Sequence, residues 1–131
     1  MIERRRGRIV CLSSGAREGT PWTALSTGGA AYSASKAAVR VYGEALRGAL
    51  VSEGIGVSVV CPGYVRSGMT AANTFPMPML MDADRAAGII RRGLAKNRAR
   101  IAFPWPIYAV AWMFGVLPPW LIDPFMVRLP R

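Results

Sequence analysis

The sequence predicts an α/β fold: part of a doubly wound parallel sheet, about three strands with helices, followed by an apolar helical tail. Three observations carry this. The runs Gly7–Ser14 (GRIVCLSS) and Gly56–Cys61 (GVSVVC) are apolar, β-branched and too short for helices, so they read as buried strands. Between them, Ala30–Glu53 carries apolar residues at helical spacing. A helix joining two buried strands is a βαβ unit, which implies a parallel pair and a right-handed crossover.

The elements follow in order. Gly15–Gly29 reads as a loop, with four glycines, Pro21 and several hydroxyl residues. The long helix presents a stripe from Ala34 through Val41 to Leu50, weakened slightly by Gly43 and Gly48 and stopped by Gly54. Pro62-Gly63 ends the second strand. Tyr64–Met81 is a loop rich in Met, Pro and Phe, among them Met69, Phe75, Pro76 and Met77. Asp82–Asn97 reads as an amphipathic helix with Asp82 as N-cap and arginines toward its C-terminal end. Arg98–Phe103 (RARIAF) is a third short strand. The division is then residues 1–103 as one α/β unit and residues 104–131 as a tail rich in Pro and Trp.

That tail carries an uncharged run of 22 residues, Ile101 to Ile122. Its length alone would span a bilayer. Pro104, Pro106, Pro118 and Pro119 interrupt it, and the proline-free part, Ile107–Leu117, is too short to cross. Two short helices covering a hydrophobic pocket or a partner surface are expected. The alternative is peripheral membrane contact through residues 101–122, where Trp105, Tyr108, Trp112 and Trp120 have basic flanks.

Composition excludes several classes. A chain of 131 residues holds one domain, and 52% apolar content argues against disorder. Two cysteines and no histidine exclude a disulfide scaffold, histidine triads and histidine or zinc metal sites, so no metal is expected. The net charge of +10 is almost all arginine, since only Lys36 and Lys96 are lysines. No nucleic-acid motif accompanies it, so the charge reads as solvated faces rather than as a nucleic-acid surface. Residues 1–8 are charged and the apolar stretch after them is short, unlike a signal peptide. A cytoplasmic protein with reduced thiols, with a membrane-associated alternative through the tail, is expected.

The chemistry opens the long helix, at Tyr32-Ser33-Ala34-Ser35-Lys36. Residues at i and i+4 share a helix face. An ammonium beside a phenol favours the phenolate and lowers the tyrosine pKa from about 10. Tyr32 is then a candidate general acid or base. Ser13-Ser14 sits past the C-terminal end of the first strand, the edge at which open parallel sheets bind ligands. Pro62-Gly63 ends the second strand at that edge. Each group also has an ordinary reading: a helix-face tyrosine, a solvated lysine, strand-end serines, a Pro-Gly turn.

Taken in order, GRIVCLSS, AAYSASKAAV and VSVVCPGYVRSGM resemble the short-chain dehydrogenase/reductase family, from Gly7 to Met69 and more loosely to Phe103. The resemblance implies a Rossmann-like domain, of which residues 1–103 are the C-terminal half, and an oxidoreductase that uses NAD or NADP to interconvert alcohols and carbonyls. It makes Tyr32 the acid/base and Lys36 its charged neighbour and ribose ligand. Ser14 positions the substrate oxygen, or Ser13 if the register is shifted by one. Pro62 and Gly63 line the nicotinamide pocket, the Val65 backbone holds the carboxamide, and Ser67 stands where the family usually has threonine. The resemblance also implies a homo-oligomer. The apolar loop and tail suggest a small hydrophobic alcohol or carbonyl substrate.

The departures are specific. The sequence has no G-x-G-x-x-G, no residue that separates NAD from NADP, and neither the family's Asn-Ala-Gly stretch nor its catalytic asparagine. Met1-Ile2-Glu3-Arg4 resembles the end of the preceding helix. The chain is therefore expected to be partial and inactive alone. The alternative is a non-catalytic interaction or membrane-associated module derived from the family. A half sheet also leaves Gly7–Ser14 as an unpaired edge, so the isolated chain should be marginally stable, aggregation-prone or dependent on a partner. A sharp cooperative thermal transition in a monomeric sample would count against that expectation.

Overall fold

The computed structural model describes residues 1–15, 27–72 and 77–127. Among these, β1 (Gly7–Leu12), β2 (Ile55–Pro62) and β3 (Arg100–Phe103) form one parallel sheet in the order β1-β2-β3. Helix α1 (Thr27–Leu50) connects β1 to β2. The short α2 (Gly68–Ala71) and α3 (Ala83–Ala95) connect β2 to β3, and α4 (Trp105–Val116) and α5 (Pro119–Val127) follow β3.

The central strand explains the arrangement. Val57, Val59, Val60 and Cys61 are essentially solvent-free, as a strand covered on both faces requires. Val59 pairs with Cys11 on β1 and with Arg100 on β3. On that face α1 lies against the sheet at Gly43, where an added Cβ would stand 2.7 Å from Val59 Cγ2 and 3.1 Å from Cys11 Cβ. On the other face, Val60, Ile101 and Phe103 form a core with Met81 and Ala86, flanked by Ile89, Ile90 and Leu94 of α3. Coverage stops at β1. Val10 and Leu12, on the face away from α1, are 45% and 57% exposed, and among the described residues no strand pairs with the outer edge of β1.

Boundaries differ from the sequence reading in physically explicable ways. α1 is α-helical only to Leu50, and Val51–Glu53 tightens into a 3-10 turn, a common way to satisfy last-turn carbonyls. Gly54 then adopts φ 70° and donates its N–H to the Val51 carbonyl at 3.2 Å, so the predicted stop is a left-handed glycine cap. β2 runs from Ile55 rather than Gly56 and continues to Pro62 because Pro62 pairs with Phe103. Asp82 holds the N-cap position of α3, but its carboxylate makes no bond to the helix; it accepts from Arg66 Nε at 3.0 Å instead. α3 ends at Ala95, and Asn97 takes φ 48°, a left-handed conformation that asparagine tolerates.

The predicted loop Tyr64–Met81 contains α2, and its Phe75 and Pro76 lie outside the described residues. Most of the predicted loop Gly15–Gly29, namely residues 16–26, also lies outside them, as do residues 128–131 of the tail. The tail forms two short helices, and among the described residues no helix is long and apolar enough to cross a membrane. α4 takes in Pro106 because proline is tolerated in a first helical turn. Of its described side chains only Ala111 is buried, while Trp105 and Trp112 are mostly exposed.

Gly43 and Gly48 separate packing from propensity. Among the described residues, no atom beyond the helix's own backbone and the chain neighbours lies within 4 Å of a Cβ built on Gly48, so Gly48→Ala should stabilise the helix by up to about 1 kcal/mol. Gly43→Ala gains the same propensity but drives a methyl into the sheet, and overpacking of this kind costs about 1–3 kcal/mol. Thermal denaturation followed by circular dichroism should show the first variant melting higher and the second lower than the parent.

Candidate functional site

Three strand ends meet at one rim. The Ser13 N–H donates to the Val60 carbonyl at 2.8 Å, continuing the β1–β2 pairing past Leu12. The next turn, at Gly15, is buried, and a Cβ there would stand 3.4 Å from the Pro62 carbonyl oxygen. The Gly63 N–H donates to the Phe103 carbonyl at 2.6 Å. A Cβ on Gly63 would lie 2.8 Å from Pro104 Cδ and 3.3 Å from the Phe103 oxygen, so only glycine lets the β2 and β3 ends approach this closely. This is the carboxyl edge of a parallel sheet, where ligands bind in open α/β folds.

The first turns of α1 are fastened to that rim. Lys36 Nζ donates to the Leu12 carbonyl at 3.3 Å. Ser13 Oγ, on a residue only 2% exposed, donates to the Lys36 carbonyl at 2.7 Å. Lys36 Nζ also lies 5.6 Å from the centroid of the Tyr32 ring, within range of a cation–π contact. Tyr32 is 42% exposed, so its phenol faces accessible space. Ser35 Oγ donates back to the Tyr32 carbonyl at 2.7 Å. Ser14 is half-buried beside Ser13. The hydroxyl of Ser13 is thus committed to the helix backbone, and the two serines are not equivalent.

Pro62 and Gly63 are half-buried at the same rim. Val65 and Ser67 lie on the segment that leaves it, and their described contacts run elsewhere. Val65 forms a parallel bridge with Met81: Arg66 N–H donates to Met81 O at 2.8 Å, and Met81 N–H to Tyr64 O at 2.9 Å. Ser67 caps α2, its hydroxyl accepting from Thr70 N–H at 3.3 Å while Thr70 Oγ1 accepts from Ser67 N–H at 2.8 Å. Thr70 Oγ1 also stands 2.9 Å from the Val65 carbonyl. Ser67 and Val65 therefore already have partners within the chain. Burial pushes the Tyr64 phenol up from its usual pKa.

One cluster was not legible in the sequence. Arg100 on β3 holds Glu44 of α1 through Nε at 2.9 Å and through a second guanidinium nitrogen, and donates to Tyr108 OH of α4 at 2.7 Å. Burial works against the charge on Arg100, but the hydrogen bonds to Glu44 and Tyr108 outweigh it and raise its pKa. The cluster ties α1, β3 and α4 together. Its members are far apart in the chain, and no local pattern relates them.

Comparison with known proteins is specific. Residues 1–76 match the family model described as short chain dehydrogenase. An uncharacterized oxidoreductase of Myxococcus xanthus is 40% identical over 129 residues, 98% of this chain and 49% of that protein. A human protein named inactive hydroxysteroid dehydrogenase-like protein 1 is 41% identical over 125 residues, 87% of this chain and 36% of that protein. The chain thus spans about half the length of the first relative or less of the others. Among solved structures, a short-chain dehydrogenase from Sphingobium yanoikuyae in complex with NADPH aligns with a TM-score of 0.68 at 21% identity, over 99% of this chain and 48% of that one. A bulky-bulky ketone specific alcohol dehydrogenase from Comamonas testosteroni gives 0.62 at 20% identity, over 99% and 46%. At such identities the structural likeness speaks for the fold, a partial Rossmann-like sheet.

The rim itself can be tested through Gly63. Gly63→Ala places a methyl against the backbone of Phe103 and the ring of Pro104, which cannot swing away as a flexible side chain would. A loss of about 1–3 kcal/mol is expected, read as a lowered denaturant midpoint with an unchanged slope.

Proposed function

This chain belongs to the short chain dehydrogenase family, and from that premise we propose that it supplies the catalytic half of an NAD(P)-dependent oxidoreductase that interconverts an alcohol and a carbonyl by hydride transfer. The observation that carries the reading is the position of Lys36 Nζ, 5.6 Å from the exposed Tyr32 ring and 3.3 Å from the Leu12 carbonyl, at the end of the strand that leads into Ser13-Ser14.

The donor set at the rim suits the nicotinamide end of such a cofactor. Tyr32 and Lys36 offer a phenol and an ammonium, Pro62 and Gly63 a half-buried wall, and Val65 and Ser67 backbone and hydroxyl groups on the adjoining segment. When bound, NAD or NADP supplies or accepts the hydride at the carbinol carbon. In reduction, the Tyr32 O–H passes its proton to the substrate oxygen; in oxidation, Tyr32 takes the hydroxyl proton. Ser14 donates a hydrogen bond to the same oxygen. Ser13, whose proton is given to the Lys36 carbonyl, is the alternative if the register is shifted by one. Lys36 holds positive charge beside the phenol while the proton moves.

The substrate class is a small hydrophobic alcohol or carbonyl. α4 begins directly after the rim, at Trp105, and carries no charged residue, which favours an apolar partner over a charged one. Since no G-x-G-x-x-G is present, residues 1–131 alone should not turn over. A second reading, a non-catalytic family member, is favoured by the similarity to the protein named inactive hydroxysteroid dehydrogenase-like protein 1.

Turnover separates the two readings. In the natural protein at full length, Tyr32→Phe should lower the rate of NADH or NADPH oxidation with a small hydrophobic ketone by about 10²–10⁴-fold, the usual contribution of a positioned acid/base. Ser14→Ala should also lower it. Equal rates in Tyr32→Phe and the parent would hand the protein to the non-catalytic reading.

A further inference from the structure

We infer that Ser13 is a positioning residue: its buried hydroxyl locks Lys36, and through the helix Tyr32, into register with the end of β1. The inference rests on the proposed reaction for its purpose but on separate geometry for its content.

The geometry is a reciprocal clasp between two neighbouring strand residues and one helix residue. The side chain of Ser13 donates to the backbone of Lys36 at 2.7 Å, and the side chain of Lys36 donates to the backbone of Leu12 at 3.3 Å. Position 36 is thereby held at its carbonyl and at its ammonium. Ser13 is itself fixed, since its N–H is bonded to Val60 O on the central strand at 2.8 Å. The register of β2 therefore passes through Ser13 to α1. Tyr32 lies one turn before Lys36, so what fixes Lys36 also fixes the tyrosine on the same face.

Alternatives for this hydroxyl are poor. The Ser13 hydroxyl, on a residue only 2% exposed, has its partner in the Lys36 carbonyl, whereas an apolar residue would fill the site without one. Further along, α1 meets the sheet by packing at Gly43 and by the bonds of Arg47 to the Val57 carbonyl and of Glu44 to Arg100. Those links hold the later turns, two or more turns beyond Lys36, whereas the bonds of Ser13 and Lys36 hold the first turns at the strand end. A directed hydrogen bond resists sliding, because it weakens steeply with angle.

Chemical labelling tests this without a substrate. The chain contains only two lysines, so acetic anhydride labelling read by mass spectrometry reports Lys36, with the exposed Lys96 as an internal standard. The buried Cys61 thiol, 1% exposed, reports general opening through its reaction with a thiol reagent. Ser13→Ala should raise the Lys36 labelling rate relative to Lys96 by about fivefold, the change carried by one net hydrogen bond, while Cys61 stays protected. Ser13→Thr and Ser13→Val, alike in shape and different in the hydroxyl, should differ in the same direction. Equal Lys36 rates in the parent and in Ser13→Ala overturn the inference. So does a joint rise of Lys36 and Cys61 labelling, loss of folding included, because the hydroxyl then serves the core as a whole. Turnover of Lys36→Ala in the full-length protein reads the reaction separately: if labelling responds and turnover does not, the clasp stands and the catalytic reading falls.

Discussion

The structure depends on β2 being buried on both faces. A strand in that position has no solvent side, so Val57, Val59, Val60 and Cys61 follow one another without the alternation seen in β1. Both helical layers exist to cover it, α1 through the close approach at Gly43 and α3 through the cluster of Met81, Ala86 and their neighbours. Its last residues also set the rim. Val60 receives the N–H of Ser13, Pro62 pairs with Phe103, and Gly63 bonds the Phe103 carbonyl. Ser13 and Gly63 are thus located by β2 directly, and Lys36 through Ser13.

β1 is the least supported of the three strands, and it carries the serines. Its residues alternate between half-buried and exposed, with Val10 and Leu12 facing outward from an uncovered face. An apolar face and an open edge of this kind invite pairing with further chain. The relatives are about twice as long as this chain or longer. Among the described residues, the end of β1 is steadied from the side of β2 and α1. The bonds from Ser13 to Val60 and Lys36, and from Lys36 to Leu12, are the described links that do so.

The sequence exposed what is local and concealed what is not. β1, α1 and β2 were readable because their apolar periods are unbroken, and the glycine stop at Gly54 because left-handed caps have a residue signature. The strand-end placement of Ser13-Ser14 and Pro62-Gly63 followed from the βαβ order. The bond from the Ser13 hydroxyl to the Lys36 carbonyl did not, since it joins residues 23 positions apart with no periodic relation. The capping of α2 was missed because Ser67 and Thr70 make the reciprocal pair with a threonine where Glu or Gln is usual. The Val65–Met81 bridge and the Glu44–Arg100–Tyr108 cluster join residues with no periodic relation, so no window along the chain contains them.

The electrostatics of the rim follow from how the acidic residues are used. The chain has 7 acidic residues against 17 basic ones. Glu44 is engaged by Arg100 and lies 3.5 Å from Arg40, and Asp82 is engaged by Arg66. Among the described residues, the contacts of Lys36 Nζ are instead neutral, a carbonyl oxygen and an aromatic ring. Lys36 is thus fixed in space, among the described residues, by a backbone dipole at the end of β1 and by the face of the Tyr32 ring rather than by a carboxylate. The contact that places the ammonium is therefore the same one that joins the first turns of α1 to the strand end, so position and charge are delivered to the rim together.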